Sequence, residues 1–337
     1  MGSENLKVVQ YLVDTRKLWP GAAKTAQLEH EASRALRVLP QEERDKVLKY
    51  YFVADAKMSL VSHLLKHWAV ARYGGVPWAE ARITRDARTK PVYVDSAGRQ
   101  PVAFNVSHQA GLVALVAAYG YECGEGGGPP IDVGVDVVCT SERRERDHRM
   151  VRADGWAGFV DMHAEVFGLR EADYLKGGDF ATTAAAAAAT PPQPRDNGLV
   201  VDSKLRHFYT LWCLREAYVK MTGEALLAPW LKDLNFMRFK APAPGRAEDS
   251  NGDGSGGGRA IPPAGEDEAV TTHEILFHGK ELDDANVCIR SLGPDYMVCT
   301  AVRTPRRKEI ALGLDLRSYE FLSIEDILGV AEAGVGR

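Results

Sequence analysis

The sequence predicts an α+β fold made of two similar halves, each an antiparallel sheet with a long helix. Three observations carry this reading. Strand signals cluster at Val92–Val94, Val102–Val106 and Leu112–Ala118, and again at Ile131–Val138, 233–239, 273–278, 285–291 and 296–303. Helical patterning occupies 24–39 and 41–72 in the first half, and 155–175 and 203–222 in the second. The order of elements therefore repeats, helix with antiparallel strands, although no repeat is visible in the sequence itself. The expected boundary puts residues 1–130 in an N-terminal half and 131–337 in a C-terminal half.

Bulk properties narrow the class. A chain of 337 residues with 45% hydrophobic content builds two modest cores. A net charge of −4 and the lack of a long basic run argue against nucleic acid as a partner. The five cysteines (Cys123, Cys139, Cys213, Cys288, Cys299) show no CxxC or metal spacing, as expected of reduced thiols in a cytoplasmic protein. No basic-then-apolar leader and no 18-residue apolar run is present, so no membrane segment is expected. Met1-Gly2 opens like a myristoylation signal, but Leu6 stands where Ser or Thr is required.

The elements follow in chain order. Asp55–Leu65 is the most amphipathic part of the first helical region. Gln109-Ala110-Gly111 supplies a turn that joins Val102–Val106 to Leu112–Ala118 as a hairpin. Gly124–Pro130 reads as a flexible loop. Two longer insertions, 177–198 with its alanine run and 241–270 with its Gly, Pro, Ser and acidic residues, read as disordered. The helix at 203–222 takes Asp202 or Ser203 as N-cap and Gly223 as its C-terminal glycine.

Three islands carry chemistry. Phe208–Lys220 is apolar around most of its circumference, yet holds Arg215, Glu216 and Lys220. Charges in such a helix need partners or a metal, whereas on a surface they form a weak i, i+4 pair. In Ile131–Val138, alternation puts the aliphatic residues on one face and Asp132, Gly134, Asp136 and Val138 on the other. An Asp within an apolar strand binds a cation or several donors, or else pairs with Arg143. Gly134 beside it admits a ligand or another backbone. Asp136 and Glu216 together would suit a hard ion such as Mg²⁺. The third island, Phe104-Asn105-Val106-Ser107-His108, sets His108 at a strand end, as a phosphate donor or as half of a turn-stabilising Ser/His pair. Lys90, just ahead of Pro91, is a cation before a rigid turn.

The islands resemble, in order and spacing, the surfactin-synthetase-activating (Sfp-type) 4′-phosphopantetheinyl transferases, and the length and insertions look most like fungal members. The family motifs G-K-P, F-N-x-S-H, G-(I/V)-D-(I/V)-E and W-x-x-K-E-(A/S)-x-x-K find Lys90-Pro91, Phe104–His108, Gly134–Val137 and Trp212-x-x-Arg215-Glu216-Ala217-x-x-Lys220. Phe167-x-x-x-Glu171-x-x-x-Leu175 resembles a further segment. The resemblance covers about residues 40–225. It implies a pseudo-dimer with coenzyme A in the cleft between the halves and the active site at their interface. It also implies transfer of the 4′-phosphopantetheinyl arm to a serine of apo acyl or peptidyl carrier domains, releasing adenosine 3′,5′-bisphosphate.

In that reading Asp136 and Glu216 hold Mg²⁺, Glu216 is the base, and Lys220 neutralises or protonates the leaving phosphate. Lys90, Ser107, His108 and Arg215 are coenzyme A-binding residues, with Lys46 and Lys57 at the 3′-phosphate end. Trp212 is packing. Two departures stand out. Val138 replaces the Glu that many bacterial members carry, leaving Gln109 or water to complete the metal sphere, and Arg215 replaces a Lys, which limits it to pairing with phosphate or carboxylate. The apolar residues Trp156, Phe159, Val160, Met162 and Phe167 would serve as a carrier-docking stripe or as core. Because one chain holds both halves, a monomer is implied. The carriers open to it include fatty-acid, polyketide, nonribosomal-peptide and aminoadipate-reductase (lysine biosynthesis) proteins. The reading of a different class is a non-catalytic module that binds coenzyme A or carrier proteins.

Overall fold

The computed structural model describes residues 5–124, 126–178, 197–224, 229–245 and 268–333. The expected disordered insertions fall largely outside the described residues. Two four-stranded sheets form the centre. The first has the order β13 (Glu320–Phe321), β1 (Lys7–Asp14), β5 (Leu112–Tyr119), β4 (Ala103–Gln109). The second has the order β6 (Asp132–Cys139), β12 (Tyr296–Arg303), β11 (Ala285–Leu292), β8 (Ala269–Val270). All pairs are antiparallel except β1 with β13. A hairpin of β2 (Thr84–Arg85) and β3 (Pro91–Val92) and a small sheet of β7 (Leu234–Met237), β9 (Glu274–Phe277) and β10 (Lys280–Glu281) lie beside them.

Strand alternation builds the layers. On β5, Leu112, Ala114, Val116 and Ala118 pack against Val133, Val135 and Val137 of β6, so the two sheets meet face to face. The opposite faces each receive a long helix. Val113, Leu115 and Ala117 pack under α4 (Val53–Gly74), while Val138, Met297, Cys299 and Ala301 pack under α7 (Asn197–Thr222). The order is helix, sheet, sheet, helix, and it is the two-half α+β arrangement expected from the element order.

Several expectations are corrected. The region 24–39 is broken into a 3₁₀ turn (Thr25–Gln27), α1 (Leu28–Glu31) and α2 (Ser33–Arg37). The region 41–72 is two helices, α3 (Gln41–Leu48) and α4. The break is needed because α3 folds back so that Glu43 reaches His63 and His67. A continuous helix would hold residues 43 and 63 about 30 Å apart. The region 155–175 is also two helices, α5 (Arg144–Asp161), kinked at Gly155, and α6 (Leu169–Gly177). Helix α7 begins at Asn197, so Asp202 is no cap; it binds Arg144 and His148 across to α5 instead. Gly223 does end α7 in a left-handed conformation.

Strand β1 and helix α9 (Ile324–Ala333) were not anticipated. Ile327, Leu328 and Ala331 of α9 pack into the α4 core, and β13 pairs with β1. The last described segment thus crosses the expected 130/131 boundary and closes on the first half. Between β11 and β13 lies the short helix α8 (Lys308–Leu312).

Candidate active site

The site forms where β4 of one half abuts β6 of the other. β6 is an edge strand, and its outward N–H groups meet side chains instead of a strand. Val135 N donates to Asn105 Oδ1 (2.9 Å), and Cys139 N donates to Gln109 Oε1 (3.2 Å). Between them Ser107 Oγ donates to Asp136 Oδ1 (2.8 Å). Asn105, Ser107 and Gln109 share one face of β4, so the F-N-x-S-H island is a polar seam joining the halves.

Helix α7 completes the site because Gly134 has no side chain. A Cβ there would lie 2.1 Å from Ala217 O and 2.4 Å from Met221 N. The helix backbone therefore presses directly on β6, which sets Glu216 and Lys220 beside Asp136. Lys220 Nζ donates to Asp136 Oδ1 (2.6 Å) and Ser107 Oγ (3.0 Å), and lies 3.9 Å from Glu216 Oε2. Asp136 is only 5% exposed. Burial alone would lower the Lys220 ammonium, but the Asp136 and Glu216 carboxylates outweigh it and hold it above the ordinary lysine value. Burial raises Glu216; Lys220 opposes this and the Asp136 charge adds to it. This is a carboxylate poised to accept a proton, next to a firmly charged ammonium.

Mg²⁺ is commonly held by one or two carboxylates, with substrate phosphate and water filling the remaining positions. Asp136 and Glu216 supply two carboxylates with one ammonium between them, and burial together with mutual repulsion leaves Glu216 short of positive charge. The set fits such an ion. No group of three or more His, Cys, Asp or Glu suited to a metal gathers among the described residues. Val138 is buried in the α7 core, and Gln109 is directed to Cys139 N and Glu142, so Gln109 does not complete the sphere. Arg143 faces Asp147, not Asp136.

On the other face of β4, His108 turns into a cavity of about 550 Å³. Lys46, Lys49, Lys66, Arg85 and His63 line it as well, with Ser59, Ser62 and Tyr50. Its lining is basic and comes entirely from the first half, not from a cleft between the halves; of the expected ligand residues it includes Lys46 and His108. Ser59, Ser62, His63 and Lys66 form one polar stripe at i, i+3, i+4 and i+7 of α4, a signal that was available in the sequence. Burial lowers His108, and Lys220 and Lys66 lower it further.

Four expected coenzyme A residues lie outside this cavity: Ser107, in the seam with Asp136 and Lys220, and Lys57, Arg215 and Lys90. Lys57 is buried and absent from the cavity lining. Two positions from Ser59 it is rotated by about 200°, which puts it on the far face of α4. Arg215 is fully buried and serves the fold: it donates to Glu171 Oε2 (2.6 Å), Leu234 O (2.8 Å) and Leu231 O (2.7 Å). Glu171 also accepts from Gly168 N and Phe236 N. The Phe167-x-x-x-Glu171 segment is therefore the partner of Arg215, tying α6 and the small sheet to α7. Lys90 donates to Val133 O (3.0 Å) and reaches Met221 O (3.5 Å), clamping β6 to the end of α7 beside a second cavity of about 260 Å³. Trp212 packs on Phe208 and Phe167, as expected. Of the apolar stripe, Trp156, Phe159, Val160 and Phe167 are core, and only Met162 is exposed.

Residues 26–120 match the family model described as 4′-phosphopantetheinyl transferase, N-terminal, and residues 132–255 match that of the 4′-phosphopantetheinyl transferase superfamily. A 4′-phosphopantetheinyl transferase 1 of Fusarium mangiferae is 43% identical over 327 residues, covering 96% of this chain and 95% of the relative. One from Aureobasidium melanogenum is 34% identical over 336 residues, covering 91% and 94%. A shorter match, 34% over 134 residues (39% and 48%), is to the L-aminoadipate-semialdehyde dehydrogenase-phosphopantetheinyl transferase of Schizosaccharomyces pombe.

Proposed function

This chain belongs to the 4′-phosphopantetheinyl transferase family, and we propose that its Asp136–Glu216–Lys220 site moves the 4′-phosphopantetheinyl arm of coenzyme A onto a carrier-protein serine. The observation that carries the assignment of roles is the Lys220 ammonium set between Asp136 and Glu216, at the seam beside a cavity lined with cations. Coenzyme A lies with its anionic nucleotide end in the cavity, near Lys46, Lys49, Lys66 and Arg85, and its pyrophosphate toward His108 and Lys220. Glu216 accepts the proton of the carrier serine hydroxyl as its oxygen bonds to the phosphorus that bears the pantetheine arm. The bond from that phosphorus to the bridging oxygen breaks, and adenosine 3′,5′-bisphosphate leaves. Lys220 stabilises the charge that builds on the leaving phosphate. Ser107 and Asp136 hold the Lys220 ammonium at that position. When bound by Asp136 and Glu216, Mg²⁺ supplies charge neutralisation of the pyrophosphate.

Both halves of the site come from one chain, so a monomer suffices. All five cysteines are free thiols, in keeping with a cytoplasmic protein. Acyl and peptidyl carriers are the expected acceptors, and the Schizosaccharomyces pombe relative's name adds an aminoadipate-semialdehyde dehydrogenase to the candidates. The test is intact-mass measurement of an apo carrier incubated with the protein, coenzyme A and Mg²⁺. Glu216→Gln should slow loading by about 10²–10⁴-fold while coenzyme A still binds. Loading at the wild-type rate by Glu216→Gln would remove Glu216 as the base. No loading by the wild type, with binding intact, would instead favour a binding module.

A further inference from the structure

Helix α3 contributes to the cavity from behind. Its Glu43 carboxylate, 14% exposed, faces two histidines of α4, one turn apart. Glu43 Oε1 is 3.2 Å from His63 Nδ1, and Oε2 is 2.8 Å from His67 Nε2. His67 is fixed in turn, stacked on Trp78 at 5.5 Å, and Trp78 Nε1 donates to Val38 O. His63 is the member of this set that also lines the cavity. His63 Nδ1 lies against the Glu43 carboxylate at ion-pair distance, which leaves Nε2 as the ring nitrogen for the cavity.

We propose that His63 is a phosphate-binding residue of this site, oriented by Glu43, and that it takes up a proton at Nε2 when the phosphate groups of coenzyme A enter. This rests on the reading of the cavity as the coenzyme A site. The surroundings explain why the proton arrives with the ligand. In the free protein the Lys66 ammonium acts on the imidazole, and Lys46, Arg85 and His108 line the same cavity. Burial lowers His63, Lys66 and His67 lower it further, and Glu43 opposes them. His63 is therefore biased toward its neutral form in the free protein. Phosphate oxygen neutralises the cations and offers Nε2 an acceptor, so the imidazolium becomes the favoured form. Glu43, held well below the usual carboxylate range by the two histidines despite its burial, remains charged throughout and stabilises that imidazolium.

Calorimetric titration of the full chain with coenzyme A, at pH 7 in buffers of different ionisation enthalpy, counts the protons taken up. The wild type should take up about half a proton or more per ligand, because an imidazolium favoured in the loaded site at pH 7 needs a value of about 7 or above, raised from the ordinary value near 6.5. His63→Gln should lose a defined share of that uptake and weaken coenzyme A about tenfold, as removal of a charge-assisted hydrogen bond does. The loss in turnover should fall more on KM for coenzyme A than on kcat. Glu43→Gln should lose the same share, and the double variant no more. Lys66→Arg, which stays charged, should retain it. Uptake and affinity unchanged in His63→Gln would overturn the proposal and leave the transferase reading intact. A wild type that binds no coenzyme A would overturn the cavity reading along with it. Loss of uptake in His108→Gln alone would assign the proton to His108 and also overturn the proposal.

Discussion

At the scale of residues, environment decides what each charge does. Burial brings the Lys66 ammonium in the cavity down to about 8. Below that value it is charged and attracts phosphate; as pH rises through it the charge is lost from the free protein. A bound phosphate raises the value, so coenzyme A affinity should fall as pH rises from about 8 toward the bound-state value, and Lys66→Arg should abolish that limb of the binding profile. Arg215 shows the opposite use of charge. Its guanidinium and the Glu171 carboxylate are both fully buried. Arg215→Met should cost about 3–5 kcal/mol in denaturant unfolding, because Glu171 stays buried without its partner. Adding Glu171→Met should recover much of it, a result that a coenzyme A-binding Arg215 would not produce. The sequence marked Arg215 as a charge needing a partner; it did not reveal that the partner was Glu171, 44 residues away.

At the scale of elements, one contact carries the geometry of the site: α7 lying on β6. Gly134 makes it possible, and Gly134→Ala would set a methyl against the Ala217 carbonyl. Backbone cannot yield as a side chain does, so the cost should be at least about 1–3 kcal/mol, with a larger loss of carrier loading as Glu216 and Lys220 move from Asp136. Chemical unfolding and single-turnover loading measure the two separately. The β4–β5 hairpin was legible because Gln109-Ala110-Gly111 separates two apolar runs; in the fold Ala110 and Gly111 both adopt positive φ, as a two-residue turn demands. Helix ends were less so. The breaks at 49–52 and 162–168 follow from where α3 and α6 must pack, not from any Pro or Gly at the break itself in the first case.

At the scale of the whole molecule, helix, sheet, sheet and helix bring two edges together, and the site is the seam. None of the described helices is long and apolar enough to cross a membrane. Among the described residues no third metal-binding side chain joins Asp136 and Glu216, so an Mg²⁺ held there would draw the rest of its sphere from the ligand's phosphates and water. Chelation should therefore stop carrier loading, with Mg²⁺ restoring it, while leaving the melting temperature nearly unchanged; a large shift would mean that the ion supports the fold. The sequence alone determined the two-half α+β class, the hairpin and β6, and that Asp136, Glu216 and Lys220 belong together, since these rest on local periodicity and on motifs of fixed internal spacing. It did not determine strand β1, the return of α9 to the first half, the withdrawal of Lys57 and Arg215 from the site, or the convergence of Lys46, His63, Lys66 and Arg85 on one cavity with Glu43 behind His63. Those depend on which helix faces meet which sheet faces, a choice made by packing between residues far apart in the chain, which only the tertiary structure decided.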